Sequence, residues 1–154
     1  MPTDTFDRAV AVRAEPDVVW STITDVATLV DWISIVDQLR EVRHLDSYTA
    51  VLMDRLGPFK LRADLEISVS DVVQGQALRV RAAGEDRQVA SRIEVDVVLT
   101  LSGSDSGSTL AVTGSYGVTG KVATMGAGMI RQKATKVLDE FFGRAADHLG
   151  AVAA

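Results

Sequence analysis

The chain of 154 residues has no cysteine, two histidines and three prolines. Without cysteine it forms neither disulfides nor thiolate metal sites, and it has no cysteine nucleophile. Neither His44 nor His148 has a second histidine at a ligand spacing. We therefore expect no metal centre, no histidine-based triad and no bound cofactor. These absences argue against much of familiar enzyme catalysis.

Basic residues are the minority, with 16 Lys plus Arg against 21 Asp plus Glu and a formal net charge of -5. Nucleic-acid phosphates need a basic surface, so nucleic acid is not an expected partner. No apolar stretch approaches the roughly 18 residues that a membrane-spanning helix requires. The amino terminus has two acids (Asp4, Asp7) and no apolar stretch, unlike a secretory signal. We expect a cytoplasmic protein.

Apolar residues make up 47% of the chain and charged residues 24%, a mixture typical of soluble globular proteins. A chain of this length is expected to fold as one domain, here residues 1–154. At this size about 70% of the unfolded surface is buried on folding, so a hydrophobic core forms without covalent cross-links.

Apolar and polar residues alternate with a period of two over most of the chain. The clearest case is residues 59–69, where Leu61, Leu65 and Ile67 point one way and charged residues the other. Such alternation predicts an antiparallel sheet with one buried face. The predicted strands cover residues 6–12, 39–44, 48–56, 59–69, 78–82, 89–101 and 110–116, with a turn at Gly57 and Pro58.

Helical periodicity occurs at two places. A short helix is predicted to begin at Glu15 and Pro16, because proline suits the first helical turn, and a second covers residues 26–32. From Val122 to Leu149 an apolar stripe recurs every 3.6 residues and predicts a helix of about 28 residues, roughly 42 Å long. The buried face of the sheet needs a covering layer, and this helix is the element long enough to supply it. The sequence therefore predicts an α+β fold in which a curved sheet of about six to seven strands wraps a long carboxyl-terminal helix.

Several segments of the chain resemble a known family. The chain resembles the START-like (SRPBCC, helix-grip) superfamily and, within it, the CoxG family of carbon monoxide dehydrogenase subunits. The resemblance covers nearly the whole chain and is carried by Val12, Ala14, Glu15, Pro16, Val18, Val19 and Trp20, by residues 57–62 (GPFKLR), by residues 120–126 (GKVATMG), and by Ile130, Lys133, Ala134, Leu138, Phe141 and Phe142.

The resemblance implies a hydrophobic cavity between sheet and helix for a lipid-like, polyketide-like or other apolar molecule. For the CoxG family it also implies an accessory role beside a molybdenum hydroxylase, linked to membrane docking or quinone handling. We expect non-catalytic binding of a lipid- or quinone-like molecule. A cyclase- or dehydratase-like enzyme using the same cavity, or an interaction module with a filled core, are the alternatives.

The predicted ligand-binding residues are apolar or aromatic residues expected to face this cavity. They are Trp32, Met53, Leu65, Ile67, Val95, Val97, Val112, Tyr116, Met125 and Met129. Tyr116 and Arg55 are the polar side chains expected to point inward, where either could orient a carbonyl or a carboxylate. His44 is the remaining candidate acid or base.

Two glycines, Gly126 and Gly128, fall inside the predicted terminal helix, where each costs about 1 kcal/mol relative to alanine. Close packing of the first turns against a strand is one explanation. The other is a loosened first turn that, with Met125 and Met129, forms a moving lip of the pocket.

Residues 121–136 contain four basic residues and no acid. A solvated helix face explains this pattern, and a contact with a redox-enzyme partner or an anionic membrane surface is the alternative. The residues concerned are Lys121, Arg131, Lys133 and Lys136.

Overall fold

The structure is a computed structural model that describes residues 3–56 and 58–150. Within these residues the chain forms seven strands, three α-helices and one 3₁₀ turn. The strands are β1 (Thr3–Val12), β2 (Val36–Arg43), β3 (Ser47–Leu56), β4 (Phe59–Val73), β5 (Ala77–Asp86), β6 (Ser91–Ser104) and β7 (Gly107–Gly120). The helices are α1 (Pro16–Ile23), α2 (Val26–Asp31) and α3 (Ala127–Leu149), and the 3₁₀ turn is Val122–Met125. Gly57, expected in a turn, lies outside the described residues.

The seven strands form one antiparallel sheet in the order β1-β7-β6-β5-β4-β3-β2. Along β4, Leu61, Ala63 and Leu65 are buried whereas Arg62 and Asp64 are exposed. We call the face that carries the buried residues the inner face and the opposite one the outer face. The predicted fold, a sheet with one buried face and a long terminal helix, is confirmed.

The terminal helix begins later than the apolar stripe suggests. The prediction began it at Val122, but α3 has 23 residues and starts at Ala127. Gly126, with φ of 95° and ψ of 152°, takes a backbone conformation that only glycine adopts easily and separates the 3₁₀ turn from α3. The apolar periodicity continues across this break, which explains why the sequence predicted one helix.

The first strand leads into α1 at Pro16, which occupies the first helical turn as predicted. Val19, Trp20 and Ile23 of α1 are buried in the core. After α2, the Trp32 ring meets the ring of Phe141 on α3 edge to face, with centroids 5.4 Å apart. The two short helices therefore support the carboxyl-terminal half of α3.

The two edges of the sheet differ. β1 pairs with β7 without interruption over its whole length. The pairing of β2 with β3 shifts twice, once between Asp37 and Arg40 and once between Glu41 and Arg43. Gln38, with φ of 56°, lies in the first of these bulges.

The helices of the described residues differ widely in length, from six residues in α2 to 23 in α3. None of them combines the length and the apolar character needed to cross a bilayer.

Candidate ligand-binding site

One side of α3 runs along β1 in the same direction. Near its start, the Arg131 Nε donates a hydrogen bond to Asp4 Oδ2 over 2.7 Å. Two turns later, the Arg8 Nη1 donates to Asp139 Oδ1, also over 2.7 Å. The hydrogen bond and charge of Arg131 hold the pKa of Asp4 below its usual value. These two ion pairs join one side of the helix to the edge of the sheet.

The other side of α3 is joined to β3 and to the loop that follows α2. Lys133 Nζ lies 2.9 Å from Asp54 Oδ2. Glu140 accepts hydrogen bonds from the backbone N–H of Ser34 at 2.6 Å and from its hydroxyl at 2.9 Å. These bonds, the backbone one foremost, lower the pKa of Glu140. Because both margins of the sheet reach the helix, the space between α3 and the central strands is enclosed on two sides.

Two separate hydrophobic clusters occupy the ends of this space. The larger one joins the sheet to α1, α2 and the second half of α3 through residues such as Trp20, Trp32 and Phe142. The smaller one lies at the other end of α3 and is built on Leu61, Val118, Val122 and Ile130.

Between the clusters, the apolar side chains are only half-buried. Val95 on the inner face of β6, and Ala134 and Val137 on α3, belong to neither cluster of the described core. Tyr116, directly opposite Val95 on β7, is also half-buried. Burial raises the pKa of the Tyr116 phenol, and the nearby Asp4 carboxylate raises it further. The middle of the inner face is therefore the candidate ligand-binding site: apolar, with one protonated phenol beside it.

The structure places the predicted binding residues in three different settings. Leu65, Ile67, Val112 and Trp32 are buried members of the larger cluster. Val95, Val97 and Tyr116 are half-buried on the inner face, and Met125 is half-buried beside the smaller cluster, whereas Met129 on the first turn of α3 is 46% exposed. The structure thus brings Val95, Val97 and Tyr116 together at the candidate site.

The prediction that Met53 faces the cavity is wrong. Met53 lies on the outer face, 39% exposed, and its Sδ accepts a hydrogen bond from Arg62 Nη1 over 3.4 Å. Arg55, two residues later on the same face, is exposed as well. The inward residue between them is Asp54, the partner of Lys133, which the sequence pattern did not indicate. Three successive apolar residues before Asp54 obscured the alternation on this strand.

The explanation of Gly126 and Gly128 by close packing against a strand is also wrong. A Cβ atom added to either glycine would meet no other atom within 4 Å. Close approach is instead found at Gly114 on β7, where an added Cβ would collide with the backbone carbonyl of Asp96. The two helix-start glycines therefore serve no packing purpose against the sheet.

A groove of about 730 Å³ crosses the outer face from β3 to β7. No described residue of α3 lines it, so it is distinct from the predicted cavity. The sequence did not predict it because outward positions of an alternating strand are ordinarily solvated. Small and charged side chains line it, namely Ser47, Thr49, Glu66, Ser68, Arg81, Ala83, Glu94, Asp96 and Ser115.

Candidate acids, bases and metal ligands are few near the site. His44 is on the surface, where its Nδ1 lies 2.6 Å from Glu41 Oε1. No group of three or more potential metal ligands occurs in the part of the chain that the structure describes. Two of the four basic residues considered for a membrane or partner contact, Arg131 and Lys133, have intramolecular ion pairs.

Comparison with solved structures shows the same architecture. A conserved protein from Geobacillus kaustophilus is similar with a TM-score of 0.78 at 23% identity, covering 96% of this chain and 93% of that one. A START superfamily protein from Mycobacterium smegmatis is similar with a TM-score of 0.68 at 9% identity, covering 94% and 96%. DynU16, a putative protein in the dynemicin biosynthetic locus, has a TM-score of 0.58 at 23% identity over 95% of this chain and 47% of its own. At these identities the likeness shows the fold.

No curated protein matches the chain. The model of one protein family, the carbon monoxide dehydrogenase subunit CoxG, matches residues 9–150. This match covers nearly all the described residues, including both sides of the candidate site. The chain therefore belongs to the CoxG family of carbon monoxide dehydrogenase subunits.

Proposed function

We propose that the protein binds an apolar small molecule, lipid- or quinone-like, between the inner face and α3 and does so without catalysis. The observation that carries the proposal is the break between the two hydrophobic clusters, where Val95, Ala134 and Val137 stay half-buried. In a fully packed core, apolar side chains at the centre of a sheet are buried on all sides. A greasy ligand would complete the burial of these three residues.

The polar groups around the site favour binding over chemistry. Of the described ionisable residues on this face, Asp4, Arg8 and Asp54 are each engaged in an ion pair with α3. A general acid or base must be free to exchange a proton with the substrate. Tyr116 remains, and its raised pKa keeps it protonated at neutral pH, so it acts as a hydrogen-bond donor.

Membership of the CoxG family supports an accessory role for this binding. We propose that the bound molecule is delivered to, or received from, a molybdenum hydroxylase of the carbon monoxide dehydrogenase type. Arg131 and Lys133 hold α3, so a peripheral contact with that partner or with a membrane would depend more on Lys121 and Lys136. Loss of association on a Lys121→Glu, Lys136→Glu double substitution would test this contact.

The binding itself is tested with a neutral apolar fluorophore, N-phenyl-1-naphthylamine. Val95→Phe adds a ring to the candidate site, and Val98→Phe makes the same change on the outer face of the same strand. We expect saturable binding by the parent, about tenfold weaker binding by Val95→Phe, a loss of ~1.4 kcal/mol, and unchanged binding by Val98→Phe.

Two measurements complete this test. Thermal melting of both variants checks that each is folded, and native mass spectrometry after incubation with a lipid extract identifies the natural class of ligand. Equal affinity of both phenylalanine variants would place the probe elsewhere, and no saturable binding at all would remove the proposal.

A further inference from the structure

The two halves of α3 are anchored unequally. Buried residues in the second half are Phe141, Phe142, Ala145 and Leu149. The helix end is also bonded to the chain after β1, where the N–H of Arg13 donates to the Gly150 carbonyl over 2.7 Å and that of Ala14 to Leu149 over 3.1 Å. The first half has one buried residue, Ile130.

The first turn of α3 lacks the usual stabilising features. Gly126, in the N-cap position, has no side chain to accept the free N–H groups of the first turn. The hydrogen bond from Ile130 N–H to the Gly126 carbonyl is long, at 3.4 Å. Ala127, Gly128 and Met129 are all exposed. Exposed backbone hydrogen bonds and few buried contacts are the features of segments that open locally.

Two ion pairs hold this segment, one on each side. Arg131 reaches Asp4 on β1, and Lys133 reaches Asp54 on β3. The Asp54 side chain is 13% exposed and that of Lys133 30%, whereas Arg131 is 63% exposed. Exposed pairs contribute little because water screens them, so the pair at Asp54 is the stronger attachment.

The chain just before this segment is fixed. Val122, at the start of the 3₁₀ turn, is fully buried, and its N–H donates to the Ser91 hydroxyl over 2.9 Å. The N–H of Lys121 donates to the Ala90 carbonyl over 3.2 Å. Opening is therefore confined to the start of α3, between Gly126 and the well-packed second half.

We propose that residues 127–134, the first two turns of α3, are the gate of the candidate site, that Gly126 and Gly128 let them unwind, and that Lys133–Asp54 is the latch. The gate contains Ala134, one of the half-buried residues facing the site, so unwinding it uncovers the apolar space. This inference rests on the proposed function for its purpose, but the opening is a property of the unliganded protein. A ligand would enter and leave beside the smaller cluster.

Hydrogen exchange of the unliganded protein tests the opening with a pair of matched variants. Gly128 and Gly143 lie on the same helix, and an added Cβ meets nothing within 4 Å at either. Gly128→Ala should slow exchange of residues 127–134 about two- to fivefold. Gly143→Ala, in the anchored half, should leave the exchange of residues 127–134 unchanged.

The latch has its own pair of variants. Asp54→Asn removes the charge opposite Lys133, and Asp139→Asn removes the charge opposite Arg8 further along the helix. Asp54→Asn should speed exchange of residues 127–134 and release of N-phenyl-1-naphthylamine by about threefold or more, with melting showing an intact fold. Asp139→Asn should change neither rate.

The outcomes separate the gate from the binding function. If the probe binds but its release rate is the same in parent, Gly128→Ala and Asp54→Asn, the gate is wrong and the function stands. If the probe does not bind, the function fails, and hydrogen exchange still decides whether the segment opens. Exchange of residues 127–134 as slow as that of residues 141–149 in the parent would overturn the gate outright.

Discussion

Replacing Asp86 by alanine should destabilise the protein through the backbone that its carboxylate holds. Asp86, at the end of β5, is 4% exposed. Its Oδ2 accepts the N–H of Arg62 at 2.7 Å, and its Oδ1 accepts those of Gln88 at 2.9 Å and Val89 at 3.1 Å. The carboxylate thus ties β4 to the turn between β5 and β6, the turn that supports the 3₁₀ turn through Ala90 and Ser91.

The magnitude follows from the three donors that Asp86→Ala leaves without a partner. A buried unsatisfied donor costs about 1–3 kcal/mol, and the surface turn lets water reach part of this group, so we expect a loss of about 2–4 kcal/mol. That is a large share of the roughly 5–15 kcal/mol of a typical domain. Asp64→Ala removes an exposed carboxylate on the outer face of β4 and is the control, with an expected change within about 0.5 kcal/mol.

Urea denaturation at several pH values gives the assay. Burial opposes the charge on Asp86, but the three N–H groups outweigh it and hold its pKa below the ordinary 3.8. A lowered pKa in the folded state means that the contribution is complete above pH 3.8 and is lost as the pH falls through the folded value. The difference between parent and Asp86→Ala should therefore be constant from neutral pH down to about pH 5 and shrink below the ordinary pKa.

The reasoning is refuted if Asp86→Ala is no less stable than Asp64→Ala at neutral pH. It is equally refuted if the difference between parent and Asp86→Ala grows on acidification, because the carboxylate would then be more stable protonated in the folded protein.

Three further substitutions test the packing. Gly114→Ala should cost about 2 kcal/mol or more in urea denaturation, since its Cβ collides with the carbonyl of Asp96, and a neutral effect would contradict that close approach. Trp32→Ala should cost about 3–5 kcal/mol because it removes a buried ring from Phe141, and a melting temperature within a degree of the parent would show that the two do not support each other. Val97→Asp should prevent folding, as seen by circular dichroism, because an inner-face charge there has no partner, and a native melting curve would show that Val97 points outward.

The fold was predictable because the alternation on the long strands is regular. On β4, each apolar residue is separated from the next by one polar residue, and one buried face follows directly. On β3 the run Val51, Leu52, Met53 is apolar at every position, so periodicity alone does not determine which of these residues point inward. The structure resolves it through Tyr48 and Asp54, both inward, and Met53 is left on the outer face.

The candidate site was predictable in its lining and not in its attachments. Val95, Val97 and Tyr116 follow from strand alternation. The bond between Arg131 and Asp4 joins residues 127 positions apart, and nothing in the local pattern of either residue indicates the other. The break at Gly126 was equally hidden, because an apolar stripe continues through it and only the backbone angles reveal it.

The two margins of the sheet also bear on how the protein behaves among other chains. A straight strand with unpaired amides is a template on which a second chain can extend the sheet. The bulges of β2 displace its amides from a straight row, and the bonds from Arg13 and Ala14 to the end of α3 occupy the margin beyond β1. Growth of the sheet into fibrils is therefore discouraged at both sides by different means.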